Sequence, residues 1–231
     1  MRRLKTHLSG VCLILLAAVP AYCQRGTFGV YAGESADQFA TFASKTNAIF
    51  GVDGEITVHK PGKKNGGPSI VAGGEIRLPS DISFQAREYA VFGGAIFHVH
   101  NLDFGFHGQL RKADLPQEIV GSQVLNRGAL ELLEAPAIVR YNFGTGNHFF
   151  VQAEGAPEFT PHFKNANNGL PHPSLDHGYF VRGTAGYVFG KWYAKASYEN
   201  RYLKFSPTAG NPGGLYNWKS NLMVGGIGVV F

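Results

Sequence analysis

YFVRGTAGYVFGKWYAKASYENR, residues Tyr179–Arg201, holds two stretches of alternation joined by Gly190-Lys191. Before the glycine, Tyr179, Val181, Ala185, Tyr187 and Phe189 share one parity, with Arg182 and Thr184 on the other. After it, Trp192, Ala194, Ala196 and Tyr198 alternate with Lys195, Ser197, Glu199 and Arg201. Successive strand side chains point to opposite faces, so each stretch reads as a strand with one apolar and one polar face. The dipeptide between them reads as a hairpin turn.

The same period recurs through the chain. In Ile49–His59, Phe50, Val52, Ile56 and Val58 oppose Asp53, Glu55, Thr57 and His59. In Ile70–Leu78, Ile70, Ala72, Ile76 and Leu78 oppose Glu75 and Arg77. Leu102, Phe104, Phe106 and Leu110 oppose Asp103, His107, Gln109 and Arg111. Ala135, Ala137, Val139, Tyr141 and Phe143 oppose Glu134, Arg140 and Asn142. Phe149, Val151, Ala153 and Phe159 oppose Gln152, Glu154 and Glu158. Three further strands, Thr27–Gly33, Glu88–His100 and Asn221–Phe231, are less polarised.

The amino terminus sets the compartment. Arg2, Arg3 and Lys5 precede an apolar run, Gly10–Ala21, and Ala21 and Cys23 supply small residues before Gln24. This is the layout of a secretory signal peptide, residues 1–23, leaving 24–231 as one domain. Bulky Tyr22 argues against acylation of Cys23. Cleavage there removes both cysteines, Cys12 and Cys23, and with them disulfide and thiol chemistry. It also leaves 18 basic against 16 acidic residues, so the basic balance is mostly a targeting feature and gives no support to a nucleic-acid partner.

A soluble sheet would bury the apolar faces; a transmembrane barrel turns them outward. Two features favour the barrel. Aromatics gather at strand ends on the apolar face: Phe143, Phe149, Phe189, Trp192 and Phe231 at one end, Tyr89, Phe159, Tyr179 and Tyr202 at the other, as in paired interfacial girdles. The polar faces carry both charge signs on adjacent strands, such as Glu55 with Arg77, and Arg182 with Lys195 and Glu199, which suits a lumen filled by ion pairs. His100-Asn101, Gly144–Asn147 and Gly190-Lys191 read as tight turns, whereas Ser35–Asn47, Lys112–Gly128, Lys164–Asp176 and Ser206–Ser220 read as long loops. The expected fold is all-β: a closed antiparallel up-and-down barrel of ten strands, or eight if two early segments are misread, because Lys60–Gly67 is long for a turn and Pro79–Gln85 short for a loop. Strand glycines (Gly93, Gly94, Gly105, Gly183, Gly186, Gly225, Gly226, Gly228) suit a tightly curved wall.

The chain ends Asn221-Leu-Met-Val-Gly-Gly-Ile-Gly-Val-Val-Phe231, with Gly225, Ile227 and Val229 at alternating positions before a terminal aromatic. This resembles the carboxy-terminal assembly signal of small bacterial outer-membrane β-barrel proteins. The resemblance implies an outer-membrane location, contact with outer-membrane lipid, recognition by the barrel assembly machinery and both termini in the periplasm. It implies no activity.

Three constellations invite a chemical reading. His162, His172, Asp176 and His177 surround one long loop, but their spacing matches no metal motif. The Asp176/His177 pair is similar to half of the site of outer-membrane proteases; the opposing acidic pair is missing, since Asp37 and Asp114 stand singly. Lumenal His98, Asp103 and His107 with Glu134 and Glu154 contain a histidine that a carboxylate can hold as a base, and equally suit a sealed lumen. The Arg-His-x-Ser stretch of lipid A deacylases is absent: Ser197 and Ser206 have no histidine beside them. Pro61–Gly67 carries Gly62 next to Lys63 with no helix after it, and reads as a turn, not a phosphate loop.

The lumenal charge network expected from parity is Asp53, Glu55, Glu75, Arg77, Asp103, His107, Arg111, Glu134, Arg140, Glu154, Arg182, Lys195, Glu199 and Arg201. The expected role is that of a non-enzymatic anchor or surface-interaction protein, without cofactor or metal, whose lumen is largely filled by side chains. Its long loops carry Phe39, Phe42, Tyr216 and Trp218 as aromatics that would either meet an extracellular partner or pack onto the barrel rim. A narrow, porin-like pore for small solutes and a rim or lumen hydrolase are the alternatives.

Overall fold

The computed structural model describes residues 25–39, 44–60, 67–81, 85–115, 118–120, 123–125, 128–165, 174–206 and 217–231. The signal segment, Phe42, His172 and Tyr216 lie outside them, as does most of Pro61–Gly67. Of Phe39, Phe159 and His162 only the backbone is described.

Among the described residues there is no helix. The strands are β1 (Arg25–Phe39), β2 (Lys45–His59), β3 (Ser69–Pro79), β4 (Arg87–Val99), β5 (Leu102–Leu115), β6 (Glu118–Val120) and β7 (Gln123–Leu125). They continue with β8 (Gly128–Glu134), β9 (Ala137–Phe143), β10 (His148–Asn165), β11 (Ser174–Phe189), β12 (Trp192–Ser206) and β13 (Trp218–Val230). All pairings are antiparallel. β1 pairs with β13 from Thr27↔Val230 to Phe39↔Trp218, so the sheet returns on itself and keeps no free edge.

β5 and β10 each pair with both β8 and β9. These two are halves of one wall strand, interrupted where Pro136 has no N–H to give the ladder. The Pro136 carbonyl instead accepts the His107 N–H at 3.0 Å. The wall therefore has ten strands, and β6 and β7 form a separate hairpin within the β5–β8 connection.

Connections alternate between two ends. One end carries the short turns His100-Asn101, 144–147 and Gly190-Lys191, the 60–68 connection, and both Arg25 and Phe231. The other carries 40–44, 80–86, 116–127, 166–173 and 207–217. The turns reverse through positive φ, 62° at Gly190 and 113° at Gly144, where a missing Cβ removes the penalty. The strands run further toward the loop end than alternation indicates: β1 reaches Phe39, β5 Leu115 and β10 Asn165, and β13 begins at Trp218. Backbone pairing continues there through residues without polarised faces, as in Ala36↔Asn221 and Gln38↔Lys219.

The wall is inverted relative to a water-soluble sheet. Large apolar side chains cover its outer surface, Met223 at 70 % exposed and Phe149 at 63 %, while Arg77, Glu88, Arg111, Glu134, Glu199 and Arg201 are buried inside. Phe143, Phe189, Trp192 and Phe231 are exposed at the turn end, and Tyr89 and Tyr179 toward the loop end.

Inward aromatic rings lie over glycines of neighbouring strands. A Cβ at Gly51 would overlap the Tyr31 ring, one at Gly186 the Phe150 ring, and one at Gly228 the Tyr193 ring. Gly94, Gly105 and Gly226 are similarly closed by neighbouring backbone. Gly183 and Gly225 have open space around an added Cβ and Gly93 only an ordinary contact.

Trp218 departs from the sequence reading. It is 1 % exposed inside the barrel, packed with Ala86, Ala113, Leu130, Leu132, Leu203 and Phe205, and its Nε1 donates to Asp37 Oδ1 at 3.3 Å. The loop-end part of the lumen is thus largely an apolar core, in which Ser35, Asp37, Gln85 and Ser220 are buried polar members. Parity places these residues inside but says nothing of how far along the barrel the polar lining extends.

Candidate functional site

Midway along the lumen, four arginines interleave with six glutamates. Arg77 binds Glu199 at 2.6 Å, Glu75 at 3.0 Å and Glu88 at 3.4 Å. Arg182 binds Glu199 at 2.6 Å, Glu154 at 2.9 Å and Glu75 at 3.1 Å. Arg111 reaches Glu88 at 2.7 Å, with Glu75 and Glu134 each at 3.4 Å. Arg201 reaches Glu134 at 2.8 Å, Glu158 at 3.3 Å and Glu199 at 3.6 Å, and its guanidinium lies over the Phe180 and Trp218 rings. Each guanidinium therefore answers three carboxylates, and the Tyr31 hydroxyl adds a hydrogen bond to Glu75 at 2.8 Å. Charges taken out of water are tolerable only when paired with opposite charges, although Arg111 Nε and Arg201 Nε and Nη2 make no hydrogen bond among the described residues.

The expected pairing of Glu55 with Arg77 is not formed. Glu55 stands opposite Gly73 on β3, and its Oε2 lies 3.9 Å from His107 Nε2. Gln109 and Glu158, on polar faces read from alternation, belong to the network as well, and so do Glu88 and Tyr31, which alternation does not place there. Glu88 lies on a weakly polarised strand, so its face was not legible there.

From this plug to the turn end runs a vestibule of about 660 Å³, bounded by Glu75, Arg77, Arg182 and Glu199 and ringed at its mouth by Arg25, His100, Asn101 and Gly144–Gly146. Asp53 pairs with Lys195 inside it. Arg140 donates from Nε to Gln152 at 2.7 Å and stacks on Phe150, but among the described residues forms no ion pair. Its register partner Asp103 is engaged elsewhere.

That engagement forms a linear trio on the vestibule wall. Asp103 Oδ1 lies 2.7 Å from His98 Nδ1, and His98 Nε2 lies 2.9 Å from Ser69 Oγ. Asp103 Oδ2 accepts from Asn142 Nδ2 at 3.0 Å. The sheet register builds it: His98 stands opposite Asp103 beside the His100-Asn101 turn, and Ser69 stands opposite Ile96, two residues before His98 on the same face. An ionised Asp103 requires the proton on Nδ1, leaving the Nε2 lone pair to accept the Ser69 hydroxyl. Of the sequence set His98, Asp103, His107, Glu134 and Glu154, the structure joins His98 to Asp103. His107 stacks on Phe92, and Glu134 and Glu154 belong to the plug. Ser69 is an addition that alternation does not single out. Its parity with Glu75 and Arg77 marks it as inward, yet only the β3–β4 register brings it to the imidazole.

Asp176 and His177 stand exposed on the outer side of β11. Asp176 Oδ2 lies 3.2 Å from both His177 Nδ1 and Lys204 Nζ, a surface ion cluster without a cavity. Asp114 pairs with Lys112 at 3.1 Å, and Asp37 is buried beneath Trp218. Among the described residues, no group of three histidine or acidic side chains is placed to hold a metal ion. On β13, Gly225, Ile227 and Phe231 are exposed on the outer face and Val229 is partly covered. No protein-family model matches the chain, and no curated protein matches it in sequence.

Proposed function

We propose that the chain is an integral barrel of a bacterial outer membrane, with both termini in the periplasm, that anchors and presents surfaces without conducting. The observation that carries this reading is the inversion of the wall, with apolar side chains outside and a densely ion-paired arginine–glutamate cluster inside. An apolar belt of this kind suits hydrocarbon, and a closed ladder leaves no backbone group unsatisfied there. The aromatic rims suit the two interfaces. The outward residues of β13, followed by Phe231, suit recognition by the assembly machinery.

Against the pore alternative stand two successive fillings of the lumen, the ion-pair plug and the apolar core around Trp218. Ten strands leave little space beyond what side chains occupy. The test has two parts. The protein should fractionate with the outer membrane and migrate faster on gels before boiling than after. Reconstituted into planar bilayers, the folded protein should give no discrete current steps; reproducible steps would replace the anchoring role with that of a narrow channel.

A further inference from the structure

The Ser69–His98–Asp103 trio has the connectivity of an acyl-transfer centre: a hydroxyl on one imidazole nitrogen, a carboxylate on the other, and a further donor fixing that carboxylate. Such a centre is recognised by geometry and roles, not by the order of residues in the chain. Both contacts are at hydrogen-bonding length, 2.9 and 2.7 Å, without a substrate present. All three residues line the vestibule, with His98 exposed to it and Ser69 almost covered. Ser69 is only 2 % exposed, held on a strand and not on a loop, which suits a preorganised nucleophile. A register shift between Thr57 and His59 on the adjacent β2 interrupts the ladder beside it, a device frequent next to reactive groups.

We propose that the turn-end vestibule is a hydrolase site for short, polar carboxylic esters, with Ser69 as nucleophile, His98 as general base and acid, and Asp103 and Asn142 as positioning residues. Ser69 Oγ attacks the ester carbonyl carbon while its proton passes to His98 Nε2. The C–O bond to the alcohol breaks, and the alcohol departs with that proton. Water then gives a proton to Nε2 and its hydroxyl to the acyl carbon, which releases the acid and restores the serine, so ester plus water becomes acid plus alcohol. The substrate class follows from the walls. Glu55, Thr57, Asn101, Arg140 and Asn142 line the vestibule beside Val71, Ile96 and Ile138, and the ion-pair plug closes its inner end, a setting that suits a short ester carrying polar groups better than a long acyl chain.

The inference stands on the vestibule geometry and is independent of where the barrel resides. The test uses the full protein in detergent, with heat-dependent gel migration to verify folding of every variant. A fluorophosphonate probe should modify Ser69, located by peptide mass spectrometry, and p-nitrophenyl acetate should be hydrolysed in preference to p-nitrophenyl palmitate. Ser69→Ala should abolish both readouts. Asp103→Asn should lower kcat by on the order of 100-fold or more with KM little changed, as expected when an orienting carboxylate is lost. Asn142→Asp should also lower kcat, by placing a second carboxylate where the Asp103 donor stood. Folded protein that takes no probe at Ser69 and hydrolyses the acetate no faster than Ser69→Ala would overturn the proposal, and a preference for the palmitate ester would overturn its substrate class.

Discussion

Arg77 and Glu199, 122 positions apart in the chain, meet across the lumen in a two-pronged pair, Nη1 to Oε1 at 2.8 Å and Nη2 to Oε2 at 2.6 Å. β3 and β12 are not neighbours in the wall, so this pair joins opposite sides of the barrel through its interior. A guanidinium matches a carboxylate with parallel N–H donors, which gives such a pair direction as well as charge.

Breaking that pair from one side should cost more than removing it whole. Arg77→Met strands part of the charge on Glu75, Glu88 and Glu199, and should lower unfolding stability by about 3–5 kcal/mol. Arg77→Met combined with Glu199→Leu should cost less than the two single changes added together. Urea titrations of protein refolded into lipid vesicles, followed by tryptophan fluorescence, measure this; strictly additive losses would mean the residues are not coupled.

Parity proved the most informative signal in the sequence. It separated Phe50, Val58 and Ile70 on the outer surface from Asp53, Glu55 and Glu75 within, because a strand has only two faces and a closed wall gives each a different medium. The turn ends were legible for a local reason, since Gly190-Lys191 and His100-Asn101 sit between matched alternating runs. What parity could not supply was position along the barrel axis and pairing across strands. Leu203 and Phe205 share the parity of Glu199 and Arg201 yet belong to the apolar core, and Ser69 reaches His98 only through the β3–β4 register. Trp218 was misread because the loop before it was taken to extend past it, whereas the ladder with β1 already begins there.

Filling the slot over Gly51 should disturb the plug without touching any charge. A Cβ there overlaps the Tyr31 ring, so Gly51→Val must displace the ring and break the Tyr31–Glu75 hydrogen bond. A loss of about 1–3 kcal/mol is expected for overpacking a closed interior. Pairing the change with Tyr31→Ala should recover much of the loss in the same urea titration; no recovery would show that the ring is not what the added side chain meets.

Trp218→Ala tests whether the loop-end half of the lumen is a packed core. Removing a fully buried tryptophan should cost about 3–5 kcal/mol, and Asp37 would lose its Nε1 donor. Trp192, exposed at the turn end, remains as the fluorescent reporter. A change below about 0.5 kcal/mol, as expected of surface positions, would mean that Trp218 does not pack inside the barrel.

Val181, 52 % exposed on the outer face of β11, distinguishes water from hydrocarbon as the medium around this surface. In water, an exposed valine replaced by arginine changes stability by less than about 0.5 kcal/mol. In a bilayer the same substitution places a cation in hydrocarbon, at a cost of about 2–4 kcal/mol near the midplane. Val181→Arg refolded into vesicles should therefore be clearly less stable than the parent protein, whereas Lys204→Arg, on the outer face nearer the loop end, should behave like it. Equal stability of Val181→Arg and parent in vesicles would count directly against a membrane-spanning wall, however apolar its surface.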